Sequence, residues 1–160
     1  MKLSTMAGVM SFVSKIENDS SFFYKTCAEK YPELESLFLP WNKENNKFEK
    51  NIKRTYFGVI TDTLESNYAF QGLDTDDYDV DMQPPVDVDA SEAIKKACKI
   101  EETIRHFYLK AAQLSEGHLA DIPRLFRKIA KKREERCQSL EALWNNKLKV
   151  FPDLWKTVDN

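Results

Sequence analysis

The sequence contains few residues that interrupt helices. Only 4 glycines and 6 prolines occur among 160 residues, which disfavours a turn-rich sheet architecture. Hydrophobic residues make up 42% of the chain and charged residues 31%, a balance typical of long amphipathic helices. A chain of this length can bury a continuous core without disulfides or metal ions. We therefore expect one all-α domain spanning residues 1–160.

Cysteine and histidine are also scarce. The three cysteines are Cys27, Cys98 and Cys137, without a C-x-x-C pair. Their odd number and wide spacing argue against a disulfide framework or a thiolate zinc site and favour a reducing, cytoplasmic location. The two histidines, His106 and His118, fall outside the inward helix faces, so we expect neither to bind a metal ion.

Long hydrophobic runs and an excess of one charge are both absent. No segment approaches the roughly 20 apolar residues that a membrane-spanning helix needs, and the first residues lack a cleavable leader pattern. We expect no membrane association. Lys and Arg total 24 against 26 Asp and Glu, so the net charge does not indicate a nucleic-acid partner. The basic stretch at 124–136 keeps a nucleic-acid-binding helical protein as a secondary alternative.

Capping and proline signals predict four helices. Helix A covers about 4–30 with Ser4 as its N-cap, helix B about 33–67, helix C about 90–115 and helix D about 122–146, followed by a tail at 147–160. Pro40 either kinks helix B or marks its true start. Residues 71–89 contain Gly, Pro and seven Asp without a helical period, which predicts a connection. Short A–B and C–D links and this longer connection predict two antiparallel hairpins joined by a crossover.

An internal repeat relates helix A to helix C. Lys15-Ile16-Glu17 recurs as Lys99-Ile100-Glu101, and Phe23-Tyr24 recurs as Phe107-Tyr108, both at an offset of 84 residues. Such a match indicates two similar halves. On the expected helices, residues alternately three and four apart share one face. Glu17 and Glu101 then lie within mostly apolar stripes, and both are predicted to face the core.

The other two helices also carry polar residues on their inward stripes. Helix D places Arg133 and Arg136 where the period requires apolar or functional groups, and helix B places Asn45 there. Tyr24 and Tyr108 fall on the stripes of helices A and C. They are candidates for hydrogen bonds to the glutamates, and the alternative is that they only fill the core.

The duplicated Glu-x5-Phe-Tyr motif at Glu17 and Glu101 resembles the rubrerythrin-like branch of the ferritin-like superfamily, over about residues 11–143. The resemblance implies a ferritin-like four-helix bundle with a di-iron site. That site takes one Glu from each of two helices and Glu-x-x-His from each of the other two. Glu17 and Glu101 match the single glutamates. The two Glu-x-x-His motifs fall on Asn45 with Phe48 and on Arg133 with Arg136, so four of the six ligands are missing.

This departure suggests a replacement for the metal pair. Two carboxylates alone in an apolar bundle would be driven to protonate, and two guanidinium groups can compensate them. We expect Glu17, Glu101, Arg133 and Arg136 to form a charge cluster. The alternative is a rotation of helix D that turns both arginines to solvent.

The leading functional hypothesis is a non-catalytic bundle with a structural or protein-interaction role and no cofactor. Its partner would be a second copy, through an exposed helix face, or another protein. The alternative is a rubrerythrin-like oxidoreductase that binds iron or manganese at an atypical site including Glu17 and Glu101.

Overall fold

The structure, a computed structural model, describes residues 1–62, 72–117 and 121–150, with side chains outside 59–62 and 147–150. Within these ranges it has four α-helices, α1 (Met6–Lys30), α2 (Glu35–Asp62), α3 (Ala90–Ser115) and α4 (Ile122–Val150). Short 3-10 turns span Pro32–Leu34 and Thr75–Tyr78. These ranges contain no strand beyond an isolated bridge between Lys2 and Asp74, so the all-α prediction is confirmed. None of the described helices is long and apolar enough to cross a bilayer.

Local side-chain chemistry sets the ends of α1 and α3. The Thr5 hydroxyl accepts a hydrogen bond from the Gly8 amide at 3.0 Å, so Thr5, and not Ser4, is the N-cap of α1. The helix ends at Lys30 because Pro32 disfavours helical geometry for the residue before it, and that residue, Tyr31, is extended. Asp89 caps α3 by accepting from the Ser91 amide at 2.8 Å.

Helices α2 and α4 differ from their predicted ranges. α2 runs through Pro40, which is therefore not its start. The backbone hydrogen bond lost there is offset by the burial of Phe38 and Trp41 on either side. α4 continues to Val150, past the predicted end at 146, because no Gly or Pro interrupts the chain there. Residues 63–67 of predicted helix B, His118 and the tail from 151 to 160 lie outside the described residues.

The helices pack as two antiparallel pairs. Along α1 and α2 the contacts run in opposite directions: Ser20 meets Asn45, whereas Tyr24, further along α1, meets Phe38, earlier in α2. α3 and α4 pair in the same way: Glu101 meets Arg133, whereas Tyr108, further along α3, meets Phe126, earlier in α4. The two pairs enclose one core, which includes Val9, Val13, Ile16, Phe23, Phe38, Ile52, Ile94, Ile100, Ile104, Phe107, Phe126, Ile129 and Leu140.

The described part of the acidic connection, residues 72–89, lies against the bundle. Leu73 is 1% exposed, and the Tyr78 ring packs edge-on against Phe107 at 5.5 Å between centroids. From α1, Lys30 Nζ donates to the Pro85 carbonyl at 2.8 Å. Apolar and polar contacts together fix this segment along the helices.

Candidate functional site

Four ionisable side chains meet in the centre of the bundle. They are Glu17 of α1, Glu101 of α3, and Arg133 and Arg136 of α4, and we call them the buried ion-pair cluster. Their exposed fractions are 1%, 0%, 0% and 3%, respectively. The alternative in which α4 turns both arginines to solvent therefore does not describe this structure.

Arg133 bridges the two glutamates. Its Nη2 lies 2.6 Å from Glu17 Oε2, and its Nη1 lies 2.7 Å from Glu101 Oε1. Charge-assisted hydrogen bonds of this length are among the strong ones in proteins. One guanidinium thus joins carboxylates from both helix pairs.

Arg136 extends the cluster towards α2. Its Nη1 donates to Asn45 Oδ1 at 2.8 Å and to Glu101 Oε1 at 3.2 Å. Its Nη2 donates to Glu44 Oε1 at 2.7 Å, and the Glu44 side chain is 36% exposed. The Asn45 amide also donates to Ser20 Oγ at 2.9 Å. The cluster therefore reaches solvent only at its α2 edge, within the described residues.

The two tyrosines bind the glutamate of the opposite half. Tyr24 donates to Glu101 Oε1 and Tyr108 donates to Glu17 Oε1, each at 2.5 Å. The internal repeat relates these two pairs, because Tyr24 corresponds to Tyr108 and Glu101 corresponds to Glu17. The helical spacing makes both tyrosines candidates for hydrogen bonds to the glutamates, but it does not predict which tyrosine meets which glutamate.

Aromatic rings enclose the guanidinium groups. The Arg136 guanidinium carbon lies 5.2 Å from the Trp41 ring centroid and 5.5 Å from that of Phe48. Arg133 lies 5.7 Å from the Phe48 ring. At these distances the ring quadrupoles attract the cations, which reduces the cost of removing them from water.

The surroundings shift the ionisation of the cluster. Burial raises the pKa of Glu17, and the Arg133 charge only partly opposes this. Burial lowers the pKa of Arg133, but Glu101 and Glu17 more than compensate, so it lies above its ordinary value. The pKa values of Tyr24 and Tyr108 rise well above 10, chiefly through burial and next through the facing glutamates. Both phenols therefore stay protonated and act as donors.

Three buried polar atoms of the cluster have no hydrogen-bond partner among the described residues. They are Glu101 Oε2, Arg133 Nε and Arg136 Nε. Each unpaired buried polar atom costs roughly 1–3 kcal/mol. A buried ion pair of this kind is therefore better suited to fixing helix register than to adding stability.

The side chains present do not fit a metal pair. The Arg133 guanidinium lies between the two carboxylates, and arginine has no lone pair available for coordination because it remains protonated. In the part of the chain that the structure describes, no three His, Cys, Asp or Glu side chains are grouped so as to hold a metal ion. His106 is exposed, beside Arg105.

Sequence reasoning identified the four cluster members but not all of their partners. Asn45 stood out as the polar interruption of the helix B stripe, and that pattern was sufficient to place it near the cluster. Glu44 lies off the stripe, and no sequence pattern links it to Arg136. Comparisons with protein-family models, curated proteins and solved structures found no match to this chain.

Proposed function

We propose that this chain is a non-catalytic ferritin-like bundle, in which the buried ion-pair cluster replaces a dinuclear metal site, and that it serves a structural or protein-interaction role. The observation that carries the proposal is the Arg133 guanidinium, fully buried between Glu17 and Glu101. It supplies positive charge where the resembling family uses metal ions.

Helix directions support the ferritin-like part of the proposal. α1 is antiparallel to α2, and the crossed pairs Tyr24–Glu101 and Glu17–Tyr108 make α1 antiparallel to α3. α2 and α3 are then parallel, so their connection has to travel the length of the bundle. A ferritin-like fold has one such long crossover.

The positions of the missing ligands support it as well. Arg133 contacts both glutamates, and Arg136 contacts Glu101 and Asn45. The Phe48 ring lies against both guanidinium groups. All six positions at which the resembling family has ligands therefore border one cluster, although only two of them keep a ligand.

The cluster chemistry favours a structural role over catalysis. Two carboxylates and two guanidinium groups have formal charges that cancel, and a guanidinium has neither redox activity nor an open coordination position. On the basic face of α4, part of the charge is already compensated, because Arg127 is paired with Glu116 at 2.7 Å and Lys132 lies 3.8 Å from Glu135.

Metal analysis tests the proposal. The chain would be produced with iron and manganese in the medium, purified without chelators and analysed by plasma mass spectrometry. We expect well under one metal ion per chain, unchanged in Glu17→Gln/Glu101→Gln. The exposed Glu102→Gln is the matched control. About two ions per chain, lost in the double variant and retained in the control, would instead establish the metal-binding oxidoreductase.

A further inference from the structure

A groove separates α1 from the acidic connection. Its volume is about 630 Å³. We call the apolar side chains that line it its floor; they include Phe12 and Ile16 of α1 and Tyr78, Val80 and Met82 of the connection. We call this feature the acidic groove, after its rim.

The floor of the acidic groove is continuous with the core. The rings of Phe12 and Tyr78 both pack edge-on against the buried Phe107, at 4.9 and 5.5 Å between centroids. Phe22, which also lines the groove, is 59% exposed. An apolar floor that packs against the core, beside an exposed aromatic side chain, is suited to holding an apolar anchor.

The rim carries a negative charge excess. Its carboxylates are Asp19, Asp76, Asp79 and Asp81, against two cations, Lys15 and the Met1 amino group. Lys15 already pairs with Asp19 at 2.8 Å and the Met1 amino group with Asp76 at 2.9 Å. Asp81 pairs with Lys96 of α3 at 2.7 Å, and Asp79 forms no ion pair with any described residue. Residues 72–89 contain seven Asp and no Lys or Arg, so the connection that borders the groove is acidic.

We propose that the acidic groove binds a segment of another protein that carries Lys or Arg on either side of an apolar or aromatic side chain. This deepens, and rests on, the interaction role proposed above. The apolar side chain would pack between Phe22 and the floor, while the basic residues would face Asp79 and its neighbours.

Charge complementarity selects this occupant. Phosphate groups of nucleic acids or anionic lipids would be repelled by the rim. Two copies of the chain meeting groove to groove would oppose like charges, which costs affinity. A basic segment with an apolar side chain would gain affinity from ion pairs at the rim and from apolar contacts with the floor.

A peptide selection tests the proposal with the full chain. Random peptides of about 12 residues displayed on phage would be selected on the immobilised protein, and enriched sequences synthesised for fluorescence-anisotropy titration. We expect enrichment of Lys or Arg flanking an apolar residue. Phe22→Ser should weaken binding at least about 5-fold, as for an interface anchor worth more than 1 kcal/mol.

Charge reversal provides the second arm. Asp79→Lys should weaken peptide binding about 10-fold or more, with a smaller effect at high salt. The matched controls are Glu29→Lys, an exposed reversal elsewhere on α1, and Phe57→Ser, an exposed aromatic on α2; neither should change affinity. Asp79→Asn serves if the reversal variant does not fold, as judged by circular dichroism.

Three results would overturn this inference. They are no enriched peptide, enriched acidic peptides, or groove variants that behave like the controls. Self-association in sedimentation velocity that Phe22→Ser abolishes would identify a second copy as the occupant and overturn it equally. The metal analysis and the peptide experiment concern different residues. Each experiment can therefore contradict its own proposal without affecting the result of the other.

Discussion

Among single residues, Arg133 is the side chain on which the buried charges depend most. It has no exposed surface and compensates two carboxylates at once. Without it, the glutamates would retain only tyrosine donors and the more peripheral Arg136. A buried carboxylate that loses its cation either protonates or destabilises the fold.

We expect Arg133→Leu to lower the free energy of unfolding by about 3–5 kcal/mol, the cost of leaving a buried partner unpaired. Urea denaturation at neutral pH measures this. The control is Arg127→Leu on the exposed face of α4, where a surface pair with Glu116 is worth about 0–1 kcal/mol. Removing all three charges, in Arg133→Leu/Glu17→Gln/Glu101→Gln, should recover part of the loss. Equal effects of the two leucine substitutions would contradict the structural role of the cluster.

Glu17 supplies a pH test. Because burial raises its pKa, the folded chain keeps this proton at pH values where an unfolded Glu, with a pKa of about 4.3, has released it. The stability that this difference contributes is fully present below the pKa of the unfolded Glu and is lost as pH rises through the pKa of Glu17 in the folded chain. The wild type should therefore lose stability relative to Glu17→Gln as pH rises from about 4 upward.

Urea denaturation of both proteins across this pH range measures the difference. A difference that moves the other way would mean that Arg133 outweighs burial and lowers the Glu17 pKa below its ordinary value.

At the element scale, the repeat makes α1 and α3 equivalent partners. Each supplies a glutamate to the cluster and a tyrosine to the glutamate of the other. The two hydrogen bonds connect the helix pairs directly, across the interface where the two hairpins meet. They therefore align α1 with α3 along the bundle.

We expect Tyr24→Phe and Tyr108→Phe to destabilise the protein by similar amounts, about 1.5–3 kcal/mol each, the range for hydrogen bonds to charged groups. Thermal and urea unfolding measure both. Tyr78→Phe is the matched control: this partly buried tyrosine donates no hydrogen bond to a described residue, so the loss should stay within about 0.5 kcal/mol. A loss confined to one member of the pair would contradict the equivalence of the two halves.

At the scale of the whole molecule, four helices converge on one polar centre within an apolar core. The positions of Asn45, Phe48, Arg133 and Arg136 border the same space as the two glutamates. The proposed relationship to ferritin-like proteins therefore predicts that metal binding can be restored by substitution alone.

We expect Asn45→Glu/Phe48→His/Arg133→Glu/Arg136→His to bind about two divalent ions per chain, because it recreates the six-ligand set of such bundles. Titration with cobalt, followed by its visible absorption, measures this in wild type and variant. Adding Glu17→Gln should weaken the binding. A folded variant that binds no more cobalt than the wild type would count against the ferritin-like assignment.

The local structure of this protein follows from short-range features of the sequence. Glycine and proline, which interrupt helices, are scarce. Helix ends depend only on neighbouring residues: Asp89 caps α3, which occupies the predicted residues, and Tyr31-Pro32 ends α1 at Lys30. The 3.6-residue period likewise places Glu17, Glu101, Arg133 and Arg136 on inward stripes, because side-chain direction in a helix follows from spacing alone.

Which of the inward groups meet depends on how the helices pack against one another. The exchange of Tyr24 and Tyr108 between the halves, and the pairing of Arg136 with Glu44, depend on how far one helix is displaced along another. That displacement is fixed by packing between segments distant in the sequence. The floor of the acidic groove also depends on packing, since Phe12 and Tyr78 both contact Phe107. The sequence could not predict this contact, because the connection has no helical period that indicates where it packs.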